Sequence, residues 1–287
     1  MSLPRKLLLE KLRRFLEEDI GQGDLTTAST IPSGTRAKAR IALKEPGIIA
    51  GVEEVKILLE DMGLHVKPLA EDGSQLKAGD AILEISGDAR TILMTERTAI
   101  NILSRMSGIA TETNRLIEKI KSAGYVVKVA STRKTAPGLL YFDKKAVMLG
   151  GGDTHRLHLD DLILIKDNHL KIAGDIVKAV RQAKQAVSFT KKIEVEVTSI
   201  EDAVKAAEAG VDIIMLDNMK PARIKATIQE LQRRKLRDKV LIELSGGITE
   251  GNILQYVATK PDIISLGAIT ESPRTLDMSL EIVEVNP

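Results

Sequence analysis

Cysteine and tryptophan are both absent from the chain, the aromatic content is only 2%, and there are four histidines. Without thiols there can be no disulfide, no thiolate metal centre and no cysteine nucleophile. With so few rings the core must be aliphatic, and the stacking platforms that hold single-stranded nucleic acid are not expected. An excess of positive charge is missing too. The formal net charge is +2, far from that of a nucleic-acid binder, and a basic run such as 233–239 reads as a solvated helix end. Long uninterrupted apolar runs are lacking at the N-terminus, where charges break up every short one. The start of the chain therefore reads as neither signal peptide nor membrane span, and a cytoplasmic enzyme is the expectation. Asn and Gln are sparse beside Lys and Glu, a composition associated with heat adaptation. What remains, 287 residues at 43% hydrophobic and 29% charged, suits one large globular domain or two ordinary ones.

The pattern changes once along the chain. Leu7, Leu8, Leu12, Phe15 and Leu16 fall at helical spacing over residues 7–19. Short β-like runs follow at 39–44, 47–52 and 81–87, separated by the turns EDGS and KAGD, with a helix over 53–62 between them. This part, residues 1–108, reads as an α+β open-faced sandwich. A long helical segment begins near Arg90, with Gly108 expected to break it and Gly124 to stop it. Six apolar runs then start near residues 126, 162, 193, 213, 241 and 263. The later ones alternate with amphipathic helices over 175–187, 200–209 and 221–233. Strands with helical crossovers fit a parallel barrel or an open doubly wound sheet. Each run ends in a polar or glycine cluster (STRK, KDNH, EVT, LDN, SGG, LGA), and groups at many strand ends fit a barrel mouth better than a single switch point. The expected fold is thus α/β, the sandwich followed by an incomplete parallel α/β barrel over residues 109–270.

Residues 131–170 hold three of the four histidines, His155, His158 and His169, beside Arg133, Lys134, Arg156 and Lys166. That set of donors suits an anionic ligand. In IEVEVT, strand alternation puts Glu194 and Glu196 on one face. Glu196 with Asp217, at the end of the next strand, could form an acidic pair at the mouth or merely structural ion pairs. The glycine turns 245–248 and 265–270 could cradle a phosphate or simply turn the chain. Asp153, His155, His158, Asp160 and Asp161 are ligand types, but their spacing matches no standard zinc pattern and an arginine sits among them. Lys166, at a strand end, could alternatively form a Schiff base.

The strings TRKTAPG, GGGDTHR, LILIKDNH, IEVEV, LDN, SGGI and SLGAIT, in this order, resemble the quinolinate phosphoribosyltransferase family, a type II phosphoribosyltransferase family. EDIGQGDLTT and ERTAINILSRMSGIAT extend the resemblance over nearly the whole chain. It implies transfer of a phosphoribosyl group from phosphoribosyl pyrophosphate to quinolinate, giving nicotinate mononucleotide, pyrophosphate and carbon dioxide, with Mg²⁺. It implies a homodimer or larger homo-oligomer with shared active sites, and a tail, 271–287, packed on the first domain. By the same resemblance, Arg133, His155 and Arg156 bind the quinolinate carboxylates, and Lys134 and Lys166 lie between that ligand and the ribosyl donor. Arg97 is supplied across the dimer interface. Glu196 and Asp217 flank the ribose and its metal, and Ser245, Gly246, Gly247, Gly267 and Ala268 hold the 5-phosphate. One feature departs: many members continue the glycine run with asparagine, where Asp153 and Thr154 stand here. A paralogous group linked to molybdate uptake shares the fold and the glycine and HR motifs; LILIKDNH with Lys166 favours the quinolinate enzyme.

Overall fold

The computed structural model describes residues 2–286, which divide into two compact units. The first takes the chain up to Asn114, then Tyr141–Gly151, and the residues from Ser272 on. In it α1 (Arg5–Ile20) buries Leu8, Leu12 and Leu16, one turn apart on one face. A short helix α2 (Leu25–Thr30) is capped by Asp24, whose carboxylate accepts the Thr27 N–H at 2.9 Å. Then come β1 (Arg36–Leu43), β2 (Gly47–Ile48), α3 (Val52–Asp61), β3 (His65–Pro68), β4 (Gln75–Leu76) and β5 (Ala81–Asp88). Three of these strands and the C-terminal strand Met278–Asn286 make an antiparallel sheet in the order C-terminal strand, β1, β5, β3. Alternate residues of β1, including Ala37, Ala39, Ile41 and Leu43, turn into the core.

Helix α4 (Ala89–Ser122) runs unbroken for 34 residues, through the glycine expected to interrupt it. Gly108 is there for close packing. A β-carbon at this position would stand 1.8 Å from the Arg274 carbonyl oxygen, so only glycine lets the incoming C-terminal segment lie on the helix. Helix α5 (Leu140–Leu149) also departs from the contiguous division at residue 108. Its Asp143 is fully buried and takes a two-pronged bond from Arg105 at 2.8 and 2.9 Å. Its Lys145 reaches Glu54 at 2.8 Å and Asp72 at 3.5 Å. These partners hold Tyr141–Gly151 in the first unit, although the flanking residues on both sides belong to the second.

The second unit is built on six parallel strands: β6 (Lys128–Ser131), β7 (Ile163–Ile165), β8 (Ile193–Val197), β9 (Ile213–Asp217), β10 (Leu241–Ser245) and β11 (Ile263–Leu266). Helices α6 (Asp167–Ala173), α7 (Ile176–Ala186), α8 (Ile200–Glu208) and α9 (Pro221–Arg233) lie between strands in the chain. The order β6-β11-β10-β9-β8-β7 joins the first strand to the last and leaves the first and second unpaired. It is a barrel left open on one side. The opening falls where the chain leaves to form α5 and returns through its glycine run. On the return, Asp153 lays one residue against the free edge of β6. Its N–H bonds the Val129 carbonyl at 2.8 Å, and its carbonyl accepts from the Ser131 N–H at 3.0 Å.

Candidate active site

Parallel strands aim their carboxyl ends the same way, and here those ends surround one cavity of about 670 Å³. From the end of β6 come Arg133 and Lys134, from the returning loop His155 and Arg156, and from β7 Lys166. β8 contributes Glu196, β9 Asp217, β10 Ser245, Gly246 and Gly247, and β11 Gly267 and Ala268. Of the residues expected in the site, only Arg97 is not in its lining; it is exposed on α4 in the first unit.

Cations and carboxylates line the cavity together. The guanidinium groups of Arg133 and Arg156 make no hydrogen bond or ion pair among the described residues, although Arg156 is half-buried. Burial, then the charge of Arg133, hold the Arg156 pKa below its ordinary value, a strain that a bound anion would relieve. Lys166 Nζ lies 3.3 Å from Glu196, and Lys134 Nζ 3.7 Å from Glu271. The Lys134 carbonyl accepts the Thr270 hydroxyl at 2.7 Å, which ties the β6 loop to the β11 loop. Asp217 is oriented by its neighbour: Asn218 Nδ2 donates to it at 2.7 Å, and the Asn218 N–H to the Ser245 carbonyl at 2.9 Å. Asn218 is left-handed (φ 52), and the amide group of its side chain fills the place where a Gly246 β-carbon would sit, 2.3 Å away. The SGG turn therefore needs its first glycine for more than turning.

His155 is the most constrained residue of the site. It too is left-handed (φ 53), at a cost of about 1 kcal/mol for a residue with a β-carbon. Its own N–H is held by Asp153 Oδ1 at 2.8 Å. Ring atom Nε2 lies 3.1 Å from Glu243 and 3.3 Å from Glu194, both fully buried. Nδ1 accepts the Arg156 backbone N–H at 2.8 Å. Burial disfavours a charged ring, while bonds and charge from the two glutamates act the other way and raise its pKa. Glu194 is raised as well, chiefly by burial, with the charge of Glu243 adding to it. The Arg156 amide can only donate, so Nδ1 is the acceptor of that bond and Nε2 is the nitrogen that faces the two glutamates as a donor.

The other two histidines of the cluster lie outside the cavity lining. His169 Nδ1 caps α6 by accepting the Lys166 N–H at 2.9 Å, and the His158 N–H is held by Asp161 at 3.0 Å. The metal set considered above, Asp153 to Asp161, is not brought together. Among the described residues the groups of three or more such side chains close enough to share an ion are His155 with Glu194 and Glu243, and Glu53 with Glu54 and Asp72. Nε2 already stands between the carboxylates of the first, and Lys145 Nζ fills the second. The sequence reading passed over Glu243, Asn218 and Glu271. The alternation that turned Glu194 inward applies equally to Leu241–Ser245 and would have singled out Glu243.

Residues 24–107 match the N-terminal domain of quinolinate phosphoribosyl transferase, and residues 109–281 its C-terminal domain. The chain belongs to this family. A Methanocaldococcus jannaschii protein described as a probable nicotinate-nucleotide pyrophosphorylase (carboxylating) is 50% identical over 277 residues, covering 96% of this chain and 97% of that one. The human nicotinate-nucleotide pyrophosphorylase (carboxylating) is 37% identical, with 98% and 94% covered. In structure the chain is similar to NadC from Streptococcus pyogenes, with a TM-score of 0.90 at 35% identity over 100% of this chain and 99% of that one.

Proposed function

We propose that this chain joins quinolinate to the ribosyl carbon of phosphoribosyl pyrophosphate and releases pyrophosphate and carbon dioxide, leaving nicotinate mononucleotide. The observation that carries the reading is one cavity that brings together two unpaired guanidinium groups, two lysines and the strand-end carboxylates Glu196 and Asp217. The pyridine nitrogen is already a nucleophile, so the reaction needs no activated serine or cysteine. The nitrogen lone pair forms the bond to C1 of the ribose as the C1–oxygen bond breaks and its electrons leave with pyrophosphate. Arg133 and Arg156 neutralise two adjacent carboxylates with paired N–H donors, with His155 at the same corner. Lys134 and Lys166 supply point charges between quinolinate and the departing pyrophosphate. Glu196 and Asp217 face the ribosyl centre, where positive charge develops. Backbone amides of Ser245–Gly247 and Gly267–Ala268 receive the 5-phosphate. Alkylation makes the ring a pyridinium; when the 2-carboxylate departs as carbon dioxide, the electron pair of the broken bond stays on C2, stabilised by the adjacent positive nitrogen, and takes a proton from water to form the C2–H bond of the product.

Glu196 and Asp217 end adjacent strands of the cavity and offer the hard oxygen donors that Mg²⁺ prefers. When bound, the ion would neutralise pyrophosphate charge. Arg97, exposed on α4, is read as a donor to the site of a second copy in a homodimer or larger assembly. Mixing an Arg97→Ala chain with a Lys166→Ala chain should then restore activity that neither has alone; inactivity despite subunit exchange would refute the shared site. The reading is of a cytoplasmic enzyme, supported by the charge-interrupted first helix; no described helix is long and apolar enough to cross a membrane.

The deciding assay incubates the protein with quinolinate, phosphoribosyl pyrophosphate and Mg²⁺ and looks for nicotinate mononucleotide by mass. Product that depends on all three components is expected. Failure with folded protein would point to another acceptor. Trapping of Lys166 by borohydride with a carbonyl substrate would instead favour Schiff-base chemistry, but Lys166 is half exposed and paired with Glu196, a setting for a charge that meets an anion.

A further inference from the structure

Both nitrogens of the His155 ring are already engaged. A carboxylate can only accept, so Nε2 donates to Glu243 at 3.1 Å, with Glu194 beside it at 3.3 Å. A backbone amide can only donate, so Nδ1 accepts from Arg156 at 2.8 Å. The ring has no atom left with which to hold a ligand. The bond on Nδ1 instead fastens the next residue in the chain, whose guanidinium lines the cavity without a partner.

The far end of this contact is costly for the fold. Glu194 and Glu243 are both fully buried, and Glu243 Oε1 and both carboxyl oxygens of Glu194 find no hydrogen-bond partner. Buried polar groups left so poorly satisfied call for a reason beyond packing. His155 itself adopts a left-handed conformation that a β-carbon disfavours, pinned by Asp153 on one side and by its ring on the other. A backbone held in such a state next to a ligand-binding arginine indicates a built-in alignment.

We propose that His155 is a positioning residue: its ring is a strut between the buried Glu194–Glu243 pair and the Arg156 amide, and it sets the direction in which the Arg156 guanidinium enters the cavity. Contact with the substrate carboxylates at this corner then falls to Arg156 and Arg133. This rests on the reading of the cavity as a quinolinate site, but the strut itself can be tested without substrate.

Five proteins suffice: wild type, His155→Ala, His155→Asn, Arg156→Ala and the double variant His155→Ala with Arg156→Ala. Asparagine tolerates the left-handed conformation and can place its carbonyl oxygen near the position of Nδ1, yet it cannot act as a cation. Amide exchange of the peptide containing Arg156, followed by mass spectrometry, should show protection in wild type and in His155→Asn and its loss in His155→Ala. An unprotected Arg156 amide in wild type would overturn the strut whatever the enzyme's substrate. In turnover, His155→Ala should lose about 10²-fold in kcat/KM for quinolinate through a raised KM, with the KM for phosphoribosyl pyrophosphate unmoved. His155→Asn should recover most of that loss. Arg156→Ala should cost much less in the His155→Ala background than in wild type, because the two act as one unit. Equal damage from Asn and Ala, with additive effects of His155→Ala and Arg156→Ala, would make His155 a direct ligand and sink the proposal. A wild type that turns over no quinolinate would overturn the reading of the cavity, while amide exchange would still decide on the strut.

Discussion

Each unit of the chain buries a knot of charge, and the two are built differently. In the first, Lys145 Nζ sits among Glu53 at 2.5 Å, Glu54 at 2.8 Å and Asp72 at 3.5 Å, and the Tyr141 hydroxyl donates to Glu54 at 2.9 Å. Burial alone would lower the Lys145 pKa, but the carboxylates outweigh it and the ammonium is held firmly charged. Burial, followed by the charge of Glu54, pushes the Tyr141 phenol up, so it remains an O–H donor. Asp72 also accepts the N–H groups of Gly51 and Val52 at 2.7 and 2.9 Å, so the same knot shapes the start of α3. In the second unit two buried glutamates share a single histidine, and several oxygens go without a partner. The first knot faces only its own scaffold. The second opens on a cavity lined by uncommitted arginines. A network centred on a cation, in which only Glu54 Oε2 lacks a hydrogen-bond partner, fixes a fold, whereas one that leaves several oxygens without a partner beside a cleft is where ligand chemistry is to be sought.

The contrast can be broken most forcefully at the mouth of the barrel. Glu196→Ala and Lys134→Ala each remove a charge that touches the reacting groups in the proposed reaction and little that supports the fold. Turnover should fall by about 10³-fold, ~4 kcal/mol of barrier, at an unchanged melting temperature. Near-wild-type turnover in either would withdraw that residue from the site. Lys145→Met should behave in the opposite way. It leaves three carboxylates facing one another without a cation, and equilibrium denaturation should show a loss of about 3–5 kcal/mol. The molecules that remain folded should keep their kcat. A Lys145→Met protein of normal stability would mean that the first knot contributes little, and the comparison would lose its basis.

How far the sequence showed these features depended on the range of the interaction behind each. Strand ends and their polar clusters follow from local alternation, so twelve of the thirteen expected site residues share the cavity lining and were legible in advance. The helix over Pro221–Arg233 was likewise readable from its period. What escaped depends on partners distant in sequence. Asp143, Lys144 and Lys145 look like the solvated side of a helix until Arg105, Glu53, Glu54 and Asp72 are seen beside them. Gly108 looked like a helix break because nothing local reveals that Arg274 will lie against it. Glu243 is a different case. Its alternation was readable, but a lone glutamate in an apolar strand raises no alarm until Glu194 and His155 are found at the same place.

The smallest effect sharpens the comparison from outside, with an ion pair that neither knot contains. Arg13 on α1 grips Asp61 at the end of α3 with two bonds, at 2.7 and 2.8 Å, near the protein surface. These bonds hold the Asp61 pKa below the usual carboxylate range, against an opposing contribution from burial. A carboxyl whose folded pKa is depressed adds stability above its unfolded pKa, near 3.9 for aspartate, and loses it as pH falls through the folded value. Asp61→Asn should therefore be slightly less stable than wild type at pH 7, and the difference should close as the pH is lowered below about 4. High salt should close it as well, because a pair this exposed is screened by mobile ions. Denaturation of both proteins at several pH values, at low and high salt, would read this directly. A difference that grew on acidification would reverse the sign argued here and make the α1–α3 contact something other than an ion pair. The Lys145 knot, buried at Lys145 and Glu54 although open to solvent at Glu53, should show a weaker salt dependence. Together the two measurements would separate charge that holds a surface seam from charge that holds a core.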